Sequence, residues 1–107
     1  MVRIGSVVLN VSNVDRAAEF WTKALGYVSD DNPAFLGPKS GTGGRLHLDE
    51  TDRTHLDLWV DEGEDKEKEV ERLVSLGARR VEWEYPEGAD FVVLADTEGN
   101  LFCVIGD

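Results

Sequence analysis

Residues 94–105 read LADTEGNLFCVI. Asp96, Gly99 and Asn100 are turn formers: Asp and Asn bond their own backbone, and Gly accepts a positive φ without strain. On either side lie FVVLAD (91–96) and LFCVI (101–105), both rich in residues that favour a pleated strand. The stretch therefore predicts two strands joined by the tight loop TEGN.

Working outward, RRVEWEY (79–85) alternates and predicts a third strand, set off by the loop PEGAD. Glu82 and Glu84 flank Trp83 there. A paired acid–base role is one reading of them, but a solvated sheet face accounts for them more simply. An acidic helix is predicted over about 64–76, with Val70, Leu73 and Val74 as its inner stripe and Gly77 as its stop. Before it, THLDLWVDE (54–62) predicts a strand with His55, Asp57 and Trp59 on one face and Leu56, Leu58 and Val60 on the other.

The first half has the same order. RIGSVVLNVS (3–12) alternates as a strand with one buried face. SNVDRAAEFWTKALG follows as a helix capped by Ser12 or Asn13, with Val14, Ala17, Ala18, Trp21 and Leu25 at helical spacing and Gly26 as a left-handed exit. Residues 27–44 are turn-rich around AFLG and predict one or two short strands and a flexible loop. RLHLDE (45–50) is again a strand. Setting Ser6–Val11 against His55–Val60 gives an offset of 49, and ALGYV falls against SLGARRV at an offset of 51. Each half reads β-α-β-β-β. A unit of about fifty residues buries too little surface to be comfortable alone, so two paired modules are physically sensible.

The chain has 107 residues, of which 41% are hydrophobic, enough for a core and against wholesale disorder. No stretch approaches the roughly 20 apolar residues that span a bilayer, and the start reads as a strand, not a signal peptide. A single cysteine forms no internal disulfide, which fits a reducing cytoplasm. With 22 acidic residues against 11 basic, the formal net charge is -11, which disfavours nucleic acid and anionic membrane as partners. Seven acids and two lysines lie in DEGEDKEKEVE (61–71). Solubility is one reading of them, and a preference for a cationic ligand is another.

The paired βαβββ order and DTEGNLFCV, together with VVLNVSNVDRAAEFWTKALGY and HLDLWVDE…VERLVSLGARRV, resemble the vicinal oxygen chelate superfamily, and within it the small glyoxalase-like and bleomycin-resistance-like domains. The resemblance covers the whole chain. It implies one α+β domain over 1–107, with module one about 1–52 and module two about 53–107, forming a glyoxalase/bleomycin-resistance/dioxygenase-type cup. In the metalloenzymes of that superfamily, ligands come from the first and last strands of each module. Here those positions are Ser6, His47, His55 and Cys103. Ser6 stands where histidine is usual and is a poor transition-metal ligand. Cys103 replaces a glutamate; its thiolate suits zinc and not magnesium or manganese. His55 matches the family histidine, and His47 lies where glyoxalase I carries a glutamate.

The favoured reading is a degenerate metal site in a small-molecule binder, with His55, Asp57, Trp59, His47 and Cys103 as ligand contacts and no cofactor. Trp59 and Asp57 would then suit a small organic ligand, cationic for instance. Against it stands a plain structural role, with Trp59 filling the cup, Asp57 bonding a neighbouring strand and Cys103 acting as a small hydrophobe. The alternative function is a metal-dependent lyase, isomerase or dioxygenase, with a divalent metal such as zinc on His47, His55 and Cys103. GPKSGTGG (37–44) lacks the Lys-Ser/Thr of a phosphate loop and reads as a flap. The resemblance also implies a homodimer, and the lone cysteine points to a cytoplasmic protein.

Overall fold

The computed structural model describes residues 1–106. Two compact units are present: one spans Gly5–Thr54, and the other joins Met1–Ile4 to the chain from His55 onward. The first contains most of β1 (Val2–Asn10), then α1 (Val14–Leu25), β2 (Val28–Ser29), β3 (Phe35–Gly37) and β4 (Leu46–Asp49). The second contains β5 (His55–Val60), α2 (Lys66–Ser75), β6 (Arg79–Arg80), β7 (Phe91–Ala95) and β8 (Leu101–Ile105). Both run β-α-β-β-β, the α+β architecture that the two halves of the sequence predict.

In the first unit the strands lie in the order β2-β3-β4-β1. Helix α1 begins where Asn13 accepts a hydrogen bond from the Arg16 N–H, so Asn13, not Ser12, is the cap. Glu50 adds a carboxylate on the Val14 N–H at 2.9 Å, where the positive end of the helix favours an anion. Gly26, at φ 69°, supplies the left-handed exit. Ala18, Leu36 and Leu48 form the core, with Leu9, Val11 and Trp21 packed on it. Leu25 is exposed, because the earlier turns of the stripe take the contacts with the sheet.

In the second unit the order is β5-β8-β7-β6. Asp65 caps α2 by accepting from the N–H groups of Glu67 and Lys68. Val70, Leu94 and Val104 are its core, joined by Val60, Leu73 and Phe102. Val74, expected on the inner stripe, is exposed, and Glu69 is buried instead. The helix is thus rolled towards a charged residue. That is tolerable because the Glu69 carboxylate is ion-paired with the Arg72 guanidinium at 2.8 Å and with the Met1 amine.

The strand expected over 79–85 ends after Arg80. Arg79 and Arg80 pair with Ala95 and Leu94 of β7, and Val93 is next in line. Its N–H donates instead to the Tyr85 hydroxyl at 2.9 Å. A side chain has taken the place of a ladder carbonyl, and residues 81–85 enter no sheet.

The first and last strands of each unit are parallel neighbours. Val7 pairs with Leu46 and Val8 with His47; Leu56 pairs with Phe102 and Asp57 with Cys103. The offset of 49 carries Val7 to Leu56 and Val8 to Asp57. It follows that Ser6 and His55 hold equivalent places in the two modules, as do His47 and Cys103.

Candidate functional site

Alternation along the strands decides what faces away from each helix. Leu46 and Leu48 pack in the α1 core, so His47 between them points to the other face, as does its ladder partner Val8. Phe102 and Val104 pack in the α2 core, which turns Cys103 and its partner Asp57 away from α2. His55, two residues before Asp57, shares that face. The β7–β8 turn holds this arrangement: the Asp96 carboxylate accepts from the backbone N–H of Glu98 and Asn100 and from the Asn100 side chain. Those bonds, led by the Asn100 side chain, keep the Asp96 carboxyl below its ordinary value.

One group of donor atoms converges. A ligand atom from each of His55, Asp57 and Cys103 lies within 4.8 Å of the other two. His55 Nε2 and Asp57 Oδ1 are 3.3 Å apart, with side chains only 9% and 16% exposed. All three residues belong to the second unit. His47, in the first, stacks on Phe35 of the neighbouring strand, with centroids 4.3 Å apart and planes 15° from parallel. Ser6 is buried.

Trp59 follows Asp57 on the same face of β5, but at the other end of the strand. The Arg3 guanidinium lies 5.7 Å from its ring centroid and is paired with Asp61 at 2.9 Å. Both residues line a cleft of about 590 Å³, together with Glu62, Glu64 and Asp90. Nothing in the sequence marks Arg3 as a participant, since its place depends on how the N-terminal end of β1 meets β5: the Met1 carbonyl accepts from the Asp61 N–H. The segment 37–44, read as a flap, contributes a tight turn in which the Gly41 N–H bonds the Pro38 carbonyl.

Chemically, the His55–Asp57–Cys103 group offers an imidazole nitrogen, a carboxylate oxygen and a thiol sulfur. That donor set suits zinc, which accepts all three ligand types, and is unsuited to magnesium or manganese because of the sulfur. Asp57 brings to the second module a charge that the first lacks, since Val8 holds the equivalent place.

Solved structures share the fold. A Legionella pneumophila protein described as an NAD-dependent benzaldehyde dehydrogenase is 16% identical, with a TM-score of 0.65 over 94% of this chain and 96% of that one. Methylmalonyl-CoA epimerase from Mycobacterium tuberculosis is 20% identical, with a TM-score of 0.62 over 95% and 85%. The Streptomyces coelicolor methylmalonyl-CoA epimerase, in complex with 2-nitronate-propionyl-CoA, is 15% identical, with a TM-score of 0.57 over 96% and 95%. Identities this low establish the fold and leave the reaction open. Comparison with curated proteins gave no match. Among the described residues, no helix is long and apolar enough to cross a membrane. The profile of the glyoxalase-like domain matches residues 6–105, nearly the whole chain. Together with the paired βαβββ units, this makes the protein a member of the glyoxalase-like domain family of the vicinal oxygen chelate superfamily.

Proposed function

We propose that this glyoxalase-like domain binds a small organic molecule in the cytoplasm through His55, Asp57 and Cys103, with Trp59 as a further contact, and without the metal catalysis common in its superfamily. The observation that carries the reading is the close, shielded His55–Asp57 pair beside Cys103. Such a pair offers a hydrogen-bond donor and a negative acceptor inside a protected surface, which is how binding sites fix a polar ligand. Ser6 and Cys103 in place of the usual histidine and glutamate support loss of the metal.

The epimerase neighbours act on CoA esters, but a CoA ester is a poor expectation for this chain. Its phosphates would meet a net charge of -11 and a cleft edged by Asp61, Glu62, Glu64 and Asp90. A neutral or cationic ligand suits that charge better.

The convergence of three donors within 4.8 Å supports a second reading, a metal-dependent lyase, isomerase or dioxygenase. His55, Asp57 and Cys103 would hold the ion, and the ion would polarise oxygens of the substrate.

The binder is tested by thermal melts of the wild type and His55→Ala against a panel of small cationic and neutral amide-bearing compounds. A compound that raises the melting temperature of the wild type, and not of the variant, is the expected result. A panel that shifts both proteins equally, or neither, counts against this site.

A further inference from the structure

The cleft at the Trp59 end of β5 has a volume of about 590 Å³, within the range of roughly 300–1,000 Å³ that small-molecule sites occupy. Its walls are fixed by backbone. Trp59 is the ladder partner of Ile105 on β8, and both line the hollow. Residues 61–64 turn tightly, with the Glu64 N–H on the Asp61 carbonyl at 3.0 Å and Gly63 at φ +82°. That turn gathers Asp61, Glu62 and Glu64 from four consecutive residues. The Asp90 carbonyl accepts from the Gly106 N–H at 3.1 Å, which holds Asp90 beside the end of β8.

Four acids thus line the cleft, and among the described lining residues Arg3 is the one cation. Its guanidinium is 5.7 Å from the Trp59 ring centroid, inside the roughly 6 Å at which an indole face attracts a cation. Its Nη1 donates to Asp61 Oδ1 at 2.9 Å. Arg3 therefore makes the two contacts that an incoming guanidinium would make. It is loosely held: the Arg3 and Asp61 side chains are 56% and 44% exposed, and an ion pair so open to water adds little. With Arg3 swung out, the lining holds an aromatic face, four acids and no base.

We propose that Arg3 is a resident stand-in, and that the cleft is a site for a small molecule carrying a guanidinium group, which displaces it. The ligand's cation takes the place of Arg3 on Trp59 and Asp61, with Glu62 and Asp90 favouring its charge. A planar guanidinium is preferred to an ammonium because it stacks on the indole and forks two hydrogen bonds to a carboxylate at once. This rests on the reading above in one respect, Trp59 as a ligand contact, and takes no contact from His55. The His55→Ala melts decide the His55 group and the titrations below decide the cleft, so either can fail without the other.

The test follows the Trp59 indole N–H in two-dimensional proton–nitrogen spectra of the full chain at low salt as n-butylguanidinium is added. Trp59→Phe identifies that signal among the three tryptophans. The signal is expected to shift and saturate. Arg3→Ala is expected to bind about fivefold tighter or more, the gain from emptying a site that its own side chain fills about four-fifths of the time. Arg16→Ala removes the same charge from the other unit and is expected to match the wild type, which separates displacement from net charge. Glu62→Gln/Asp90→Asn is expected to bind severalfold more weakly, n-butylammonium to bind less tightly, and the uncharged n-butylurea to leave the signal in place. Circular dichroism melts establish that each variant is folded. An unmoved Trp59 signal in wild type and Arg3→Ala alike, an Arg3→Ala no tighter than Arg16→Ala, or acid variants that bind like the wild type would overturn the proposal. So would an ammonium or a urea that binds as tightly as the guanidinium.

Discussion

Asp57 and Cys103 stand opposite each other across the parallel β5–β8 ladder, and His55 closes the group from the same strand face, 3.3 Å from the Asp57 carboxylate. Two strands far apart in the chain thus set an acid, a base and a thiol within 4.8 Å of one another. In the equivalent place of the first module, His47 faces Val8. The second module alone carries the extra acid, since Val8 stands where Asp57 does in the ladder.

Truncating His55 to Ala removes one member of a shielded polar pair and leaves the Asp57 carboxylate under-solvated. Chemical denaturation should show a loss of about 1–3 kcal/mol. Asp57→Asn keeps the shape and removes the charge, so it should cost less stability than His55→Ala while weakening a cationic ligand about tenfold or more. An Asp57→Asn variant that binds such a ligand as tightly as the wild type would show that the carboxylate does not touch it.

Tyr85→Phe isolates the hydroxyl that ends β6. The Val93 N–H it receives is buried, and leaving such a donor unsatisfied costs about 1–3 kcal/mol. The variant should melt lower than the wild type with an unchanged fold. Equal stability would mean that the ladder can close over Val93 from residues 81–85.

How far the sequence led can be seen strand by strand. β5 was legible from its alternation and β8 from its strand-forming residues after a strong turn, and the repeat offset matched β5 to β1 of the first module. The segment 79–85 misled because alternation records propensity and not competition: no periodicity shows that a tyrosine hydroxyl will take the next ladder donor. The roll of α2 was hidden for a similar reason. Glu69 reads as a solvent-facing acid until its two cationic partners are placed by the tertiary fold. His55 and Asp57 were legible as neighbours on one face, but Asp57 beside Cys103 depended on a parallel register that sequence does not state. Arg3 over Trp59 had no sequence signal at all.

Gly77 separates two costs of a side chain. Its φ is +119°, and a Cβ there would lie 2.8 Å from Thr97 Cγ2. Gly63, at φ +82°, has open space around it. Gly63→Ala should cost about 1–2 kcal/mol from backbone strain alone, and Gly77→Ala more, by a denaturant midpoint. Adding Thr97→Ser to Gly77→Ala removes the colliding methyl and should recover part of the difference. No recovery would assign the whole effect to the backbone.

Stability should fall in acid. Glu69, held by the Arg72 hydrogen bond and then the Met1 amine, and Asp49, held by the Asp52 and Thr51 backbone N–H groups, titrate below their ordinary values of 4.5 and 3.8. Asp96 is lowered likewise. A carboxyl with a depressed folded pKa stabilises fully above its unfolded value and loses that contribution as the pH falls through the folded one. Denaturation curves should therefore be flat with respect to these groups near neutrality and weaken as the pH drops below about 5. Stability that holds level down to pH values well under 3.8 would contradict these assignments.

At the centre of the functional reading stands a polar group, His55, Asp57 and Cys103, that binds a ligand without needing a metal. Elemental analysis of protein purified without chelator tests it most directly. The expected result is far less than one zinc per chain, with no change in His55→Ala. One zinc per chain, lost when His55 is replaced, would contradict it and give the site to the metal-dependent reading.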